Sequence, residues 1–271
     1  MDSTLVPAPL ALVTGASSGI GLEIATRLAE LGHDLVVTAE DEQLSLVAEG
    51  LTQHGRAVRP VRADLTRPAG ADTLVAEVRA LGRPLDVLVL NAGRGTGGAF
   101  LDTALDEHLA TIALDVVAPV RLAHALLPAM VERGVGRVLL TSSTGALMPG
   151  PYYSTYAAAK AFDLSFAQAL RYELRDTGVT VTALLPGPTD TDFFERAGME
   201  SSRAAQGGKD DPADVARQAV DGLLAGDEKV VMRSVRARGQ AVAGALLSDG
   251  AGAALQARMV EPRQDEGADR G

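Results

Sequence analysis

The chain has no cysteine and no tryptophan. Without a thiol it forms no disulfide, runs no thiolate chemistry and builds no cysteine-ligated zinc site. Aromatic residues make up only 3% of it. Basic residues are also outnumbered: 25 Lys and Arg against 35 Asp and Glu leave a net charge of −10. An acidic surface repels phosphate backbones and anionic headgroups, so neither nucleic acid nor membrane is expected as a partner. The histidines, His33, His54, His108 and His124, show no metal-ligand spacing and read as surface or helix-end residues, so no metal is expected. Residues 1–9 carry an acid and no basic leader. No uncharged apolar run reaches the roughly 18 residues of a membrane span. A cytoplasmic protein is the expectation.

What remains is 46% hydrophobic over 271 residues, enough for one large α/β domain. Short apolar runs read as strands: 10–14, 34–38, 57–62, 85–90, 137–141, 179–185 and 229–232. Several are apolar throughout, as strands covered on both faces are. Helical patterns lie between them at 19–31, 71–81, 105–133, 154–177 and 214–224. Strand–helix alternation implies right-handed βαβ units and a parallel sheet of about seven strands, doubly wound with helices on both faces. A single domain is expected over 10–260, with a flexible N-terminus (1–9) and a flexible tail (261–271). The polar segment 186–210 reads as a lid over a substrate site. Ligands should bind beyond the carboxyl ends of the strands.

Each motif falls just after a strand. Residues 14–21 (TGASSGIG) join the first strand to the first helix. Glycines there let a backbone approach a pyrophosphate, and the helix N-terminus offers free N–H groups. The turn lacks the Gly-Lys-Ser/Thr ending of nucleotide hydrolases. Asp64 and Leu65 follow the third strand, where an acid can accept from an adenine amino group or merely cap a turn. Asn91, Ala92 and Gly93 follow the fourth, where a glycine admits a flat ligand and an asparagine can equally bond its own turn.

Tyr156 and Lys160 are four residues apart in a helix and share a face. A free phenol, with a pKa near 10, is a poor base. A neighbouring ammonium favours the phenolate, so Lys160 could bring Tyr156 down toward neutrality; the pair alone equally reads as a half-buried tyrosine with a lysine on a solvated face. Neither Tyr152 nor Tyr153 has such a lysine. At the end of the fifth strand, Ser142 or Ser143 can hold a substrate oxygen beside the phenol. Strand alternation points them to opposite sides, and spacing alone does not choose.

Taken together, TGASSGIG, Asn91-Ala92-Gly93, Ser143…Tyr156…Lys160 and Pro186-Gly187-Pro188-Thr189 resemble the short-chain dehydrogenase/reductase family, over about residues 8–232. The resemblance implies a Rossmann-like fold and an NAD(P)-dependent oxidoreductase that interconverts a secondary alcohol and a ketone or aldehyde. Tyr156 would be its acid/base. Lys160 would lower the tyrosine's pKa and bond the nicotinamide ribose, and Ser143 would orient the substrate. Gly15, Ser17, Ser18, Gly19, Ile20, Gly21, Asp64, Leu65, Asn91, Ala92 and Gly93 would hold the dinucleotide. Pro186, Gly187, Thr189 and Thr191 would border the nicotinamide. Homodimers or homotetramers through the two long helices, and a small carbonyl or alcohol substrate, are implied as well.

Two departures from the family pattern stand out. Asp115 occupies the slot of an asparagine that anchors water to the lysine; ionised, it would hold Lys160 and offset part of its effect on Tyr156. After the second strand the sequence reads Thr38-Ala39-Glu40-Asp41-Glu42, with no cation for a 2′-phosphate. Glu40 would repel that phosphate or accept from a ribose hydroxyl, which favours NAD over NADP as cofactor, although the family's usual NAD-selecting aspartate is absent from its slot at Ala39. The alternative to an enzyme is a non-catalytic dinucleotide-binding redox sensor of the same fold.

Overall fold

The computed structural model describes residues 7–232, 239 and 246–261. The expected N-terminal and C-terminal tails fall outside these residues, apart from 7–9 and Glu261.

Seven parallel strands form one sheet in the order β3-β2-β1-β4-β5-β6-β7. They are β1 (Leu10–Thr14), β2 (Asp34–Ala39), β3 (Val58–Arg62), β4 (Val87–Leu90), β5 (Gly136–Thr141), β6 (Val179–Leu185) and β7 (Lys229–Val231). The order reverses at β1, which pairs with both β2 and β4. Crossovers on either side of that point leave a crevice beyond the strand ends.

Period-two alternation sends each strand's side chains into two separate cores. Leu10, Leu12, Leu88, Val138, Leu140 and Val181 face one helical layer. It is made of α3 (Pro68–Ala80), α5 (Ala118–Arg133) and α6 (Ser154–Glu173). Ala11, Val13, Val87, Val89, Leu139 and Leu184 face the other. That layer holds α1 (Gly19–Glu30), α2 (Gln43–Leu51) and α9 (Pro212–Ala225). The sequence pattern did not show α2. It also begins α3 one turn late, because Pro68 sits at the helix start, where a missing N–H does no harm.

Between α4 (Leu105–Ile112) and α5 the helix widens into a single π turn, Ala113–Val117. Pro119 explains it. Its nitrogen cannot bond the Asp115 carbonyl four residues back, and its ring crowds that carbonyl. By length and composition Leu105–Arg133 could cross a membrane. Here its Leu122, Leu126 and Met130 are buried in the core beside the sheet. Segment 186–210 carries two short helices, α7 (Phe193–Arg196) and α8 (Arg203–Gln206). A further helix, Asp249–Val260, packs against α8. His33 and His108 are buried rather than at the surface.

Candidate active site

A cleft of about 460 Å³ opens above the carboxyl ends of the strands. Each residue named above for cofactor or catalysis lines it, except Asp115.

At one end lies the glycine turn. Gly15 and Ala16 donate their N–H groups to the Thr38 carbonyl at 2.8 and 3.1 Å, tying the turn to β2. Gly21 has no room for a side chain, since a Cβ there would sit 2.0 Å from the Gly15 carbonyl oxygen. Helix α1 therefore starts hard against the turn. Ser18, at its N-cap, makes no side-chain cap bond, and no acid occupies the first turn. The first N–H groups of a helix have no partner within it, and the dipole adds positive charge. A backbone this bare fits a pyrophosphate.

Asp64 caps its own turn, one of its two expected roles, while Glu40 and Asn91 are held differently from the expectation. Glu40 is exposed, and its carbonyl, not its carboxylate, accepts from Arg62 at 2.8 Å. The acid fixed at this end is Asp41, which takes the Ser17 hydroxyl at 2.6 Å. The Asp64 carboxylate accepts from Thr66, hydroxyl at 2.5 Å and N–H at 2.9 Å. Those bonds, with Arg67, hold its pKa below the usual value. The Asn91 amide donates to the Thr14 carbonyl at 3.1 Å and accepts from the Thr141 hydroxyl at 3.1 Å. It stitches β1, β4 and β5 together beneath the cleft.

At the other end Ser143 and Tyr156 meet. The Ser143 oxygen accepts from the Gly145 N–H at 3.0 Å, which leaves its proton for the phenol oxygen, and the two side chains are hydrogen-bonded. Ser142 turns away and donates to the Lys160 carbonyl at 2.6 Å.

The Lys160 ammonium lies 5.8 Å from the Tyr156 ring centre. Three oxygens surround it: the Thr141 carbonyl at 3.0 Å, and carboxylates of Asp115 and Asp163 at 3.1 Å each. The contacts to Thr141 and Asp163 are hydrogen bonds, while Asp115 meets the ammonium as an ion pair without hydrogen-bond geometry, so the third proton can serve a ribose hydroxyl. A Cβ at Gly93 would lie 3.1 Å from both the Lys160 nitrogen and an Asp115 oxygen, a tight approach that the glycine avoids. Asp115 sits behind the lysine rather than in the cleft, and its other oxygen accepts from the Arg94 N–H at 2.8 Å. Sequence reading missed Asp163. Its one signal was an acid three residues beyond the lysine in an otherwise apolar stretch.

Burial raises the phenol's pKa above 10; Lys160 pulls it down, as expected of it, and so does the Ser143 bond, while Asp115 and Asp163 add to the rise. Burial alone would lower the pKa of Lys160, but the two carboxylates more than reverse that, and it is raised. Burial raises Asp115, against the pull of Lys160. It carries Asp163 up to about 6, with Lys160 again opposing.

The short chain dehydrogenase family model matches residues 9–201. The chain belongs to the short-chain dehydrogenase/reductase family. It is similar to the 1-deoxy-11-beta-hydroxypentalenate dehydrogenase of Streptomyces avermitilis, 35% identical over 84% of this chain and 85% of that one. A short-chain dehydrogenase from Sphingobium yanoikuyae, solved with NADPH, superposes with a TM-score of 0.79. It is 34% identical and covers 97% of this chain and 99% of its own. A variant actinorhodin polyketide ketoreductase with NADPH gives 0.72 at 33% identity, over 80% and 90%. The chain is thus an NAD(P)-binding oxidoreductase of the fold read from the sequence.

Proposed function

We propose that this protein interconverts a secondary alcohol and its carbonyl compound, with Tyr156 as the acid/base. The observation that carries the reading is the Ser143–Tyr156 pair set across one cleft from the bare turn at Gly21. The dinucleotide, when bound, supplies or takes up the hydride. In the reducing direction Tyr156 gives its proton to the carbonyl oxygen, and Ser143 holds that oxygen in place. In the oxidising direction the phenolate takes the proton back. The wall beside the phenol is apolar, with Tyr153, Phe194, Met199 and Val260 buried together. A bulky alcohol or carbonyl compound with a largely apolar body suits it, and one relative is named for a hydroxypentalenate and another for a polyketide.

Two further features support finer readings. Asp41, pinned by Ser17 at the cleft mouth, favours the dinucleotide without a 2′-phosphate, although similar chains are solved with NADPH. Fluorescence titration with NADH and NADPH tests this, and tighter NADPH binding overturns it. The exposed apolar side chains of Leu105, Leu109 and Ile112 suit packing against a second copy.

The test of function is Tyr156→Phe, assayed on a panel of bulky ketones with dinucleotide binding measured alongside. Turnover should fall by about 10²–10⁴-fold with binding kept. A wild-type protein that binds dinucleotide and turns over nothing points instead to the redox-sensor reading. The hold of two acids on Lys160 is the observation that favours that alternative.

A further inference from the structure

The helix Asp249–Val260 walls one side of the cleft at its Tyr156 end. Its buried positions, Gly252, Gln256 and Val260, are four apart and form one stripe. Gly252 lets the helix press on Met148, since a Cβ there would lie 3.1 Å from that side chain. Val260 packs with Tyr153, Phe194 and Met199 beside the phenol. Just past it, Glu261 accepts from the Tyr152 hydroxyl at 3.2 Å, so the helix is fastened at both ends. Gln256 lies between these anchors and lines the cleft with Met259 and Val260. It is 1% exposed, and its amide nitrogen has no hydrogen-bond partner among the described residues.

A buried donor left unpaired is costly, and buried polar groups are paired as a rule. Apolar pockets fix a ligand's orientation through a few such groups. We infer that Gln256 is a specificity-determining residue: its amide bonds a second oxygen of the substrate, remote from the carbon that exchanges the hydride. This deepens the function proposed above and rests on it. The oxygen is an uncharged carbonyl or hydroxyl. A lone amide does not offset the desolvation of a carboxylate. Lys209, 5.8 Å from the Phe194 ring centre, is already paired with Asp190. Met199 and Met259 border the same cleft, and their unbranched side chains shift at little cost to admit the oxygen. The substrate class is thus a bulky, largely apolar skeleton oxygenated at two separate positions, one for Tyr156 and one for Gln256.

The test uses matched ketones that differ by one distal oxygen. The pairs are 2-decalone with 2,6-decalindione, and a steroid 3-ketone with the 3,17-diketone of the same skeleton. Tyr156→Phe removes turnover, so calorimetry on its dinucleotide-loaded form reads binding alone. The diketone of at least one pair should bind about tenfold more tightly than its mono-ketone, the scale of one hydrogen bond. Adding Gln256→Leu should abolish that preference and leave the mono-ketone's affinity unchanged. Gln256→Met serves if the leucine variant does not fold. With Tyr156 intact, Gln256→Leu should raise KM for the diketone alone, whereas a loss of packing would move both ketones alike. Equal affinity within both pairs, a preference that survives Gln256→Leu, or no binding of any of these ketones overturns the proposal. Failure of the enzyme reading is separate: the wild type then turns over none of the ketones although Tyr156→Phe keeps the binding preference.

Discussion

Ser142 and Ser143 are chain neighbours whose hydroxyls serve opposite sides of the strand end. The first fastens helix α6 by bonding the Lys160 carbonyl at 2.6 Å, and the second bonds the Tyr156 phenol in the cleft. Replacing each by alanine should cost stability at both and turnover at one. Ser142→Ala loses a buried hydrogen bond and should cost about 1 kcal/mol with turnover nearly kept. Ser143→Ala loses the cap on the Gly145 N–H, at about 0.5–2 kcal/mol, and should also lower turnover by roughly 10–100-fold. Thermal melts and initial rates on both variants check this, and equal effects on turnover would defeat it.

The second prediction concerns Asp163 and stability. Burial raises its pKa from 3.8 to about 6 in the folded chain. A raised carboxyl binds its proton more tightly when folded. Its contribution is therefore present below about 3.8 and lost as the pH climbs through about 6. Asp163→Asn removes that loss. The wild type should weaken relative to the variant between those two values, by a few kcal/mol at about 1.36 per unit. Denaturant midpoints at both ends of the window measure it. Parallel curves would show that Asp163 does not titrate there.

The glycine turn gives a third. In Gly21→Ala the new methyl would meet the Gly15 carbonyl oxygen at 2.0 Å and the Asn91 amide at 2.5 Å. Backbone cannot swing aside, so α1 must shift off β1, at about 1–3 kcal/mol. Dinucleotide affinity should drop by at least about tenfold, since the N–H groups move with the helix. Gly50→Ala in α2 is the control: nothing lies within 4 Å of its added Cβ. It should stabilise by about 0.5–1 kcal/mol. Calorimetry and a fluorescence titration distinguish the two.

Gln256 carries a fourth. It is 1% exposed and lines the cleft, yet its amide nitrogen has no partner. An unpaired buried donor costs about 1–3 kcal/mol. Gln256→Leu should therefore melt higher than the wild type, while a substrate that uses this amide should show a raised KM. A lower melting temperature would mean that the amide is satisfied in solution.

The strands were legible because their covered faces make nearly unbroken apolar runs. Leu10–Thr14 and Val179–Leu185 coincide with the expected limits. Helix α2 was not, although Leu44, Ala48 and Leu51 form its buried stripe, because acids and a glycine surround a short segment. The helix Asp249–Val260 hides for a similar reason: its buried positions are Gly252, Gln256 and Val260, only one of them large and apolar. At the site, chain order gave the pairing of Tyr156 with Lys160. It could not give the net direction of the phenol's shift. That follows first from burial, which only the fold shows, and then from Asp115, which arrives from the neighbouring π turn, and Asp163, which the fold identifies as an inward acid.

The π turn ahead of Pro119 also governs the outside of the protein. Outward apolar residues along this stretch are Leu105, Leu109, Ile112, Val117 and Val120. Their spacings run four, three, five, three, and the five falls on Ala113–Val117. A regular helix advances about 100° per residue, so a five-residue step would swing the later side chains out of line. The widened turn absorbs the extra residue and keeps the oily ridge in register from end to end. Deleting one residue from it would break that ridge in two and, by the same rotation, pull a carboxylate out from under the lysine.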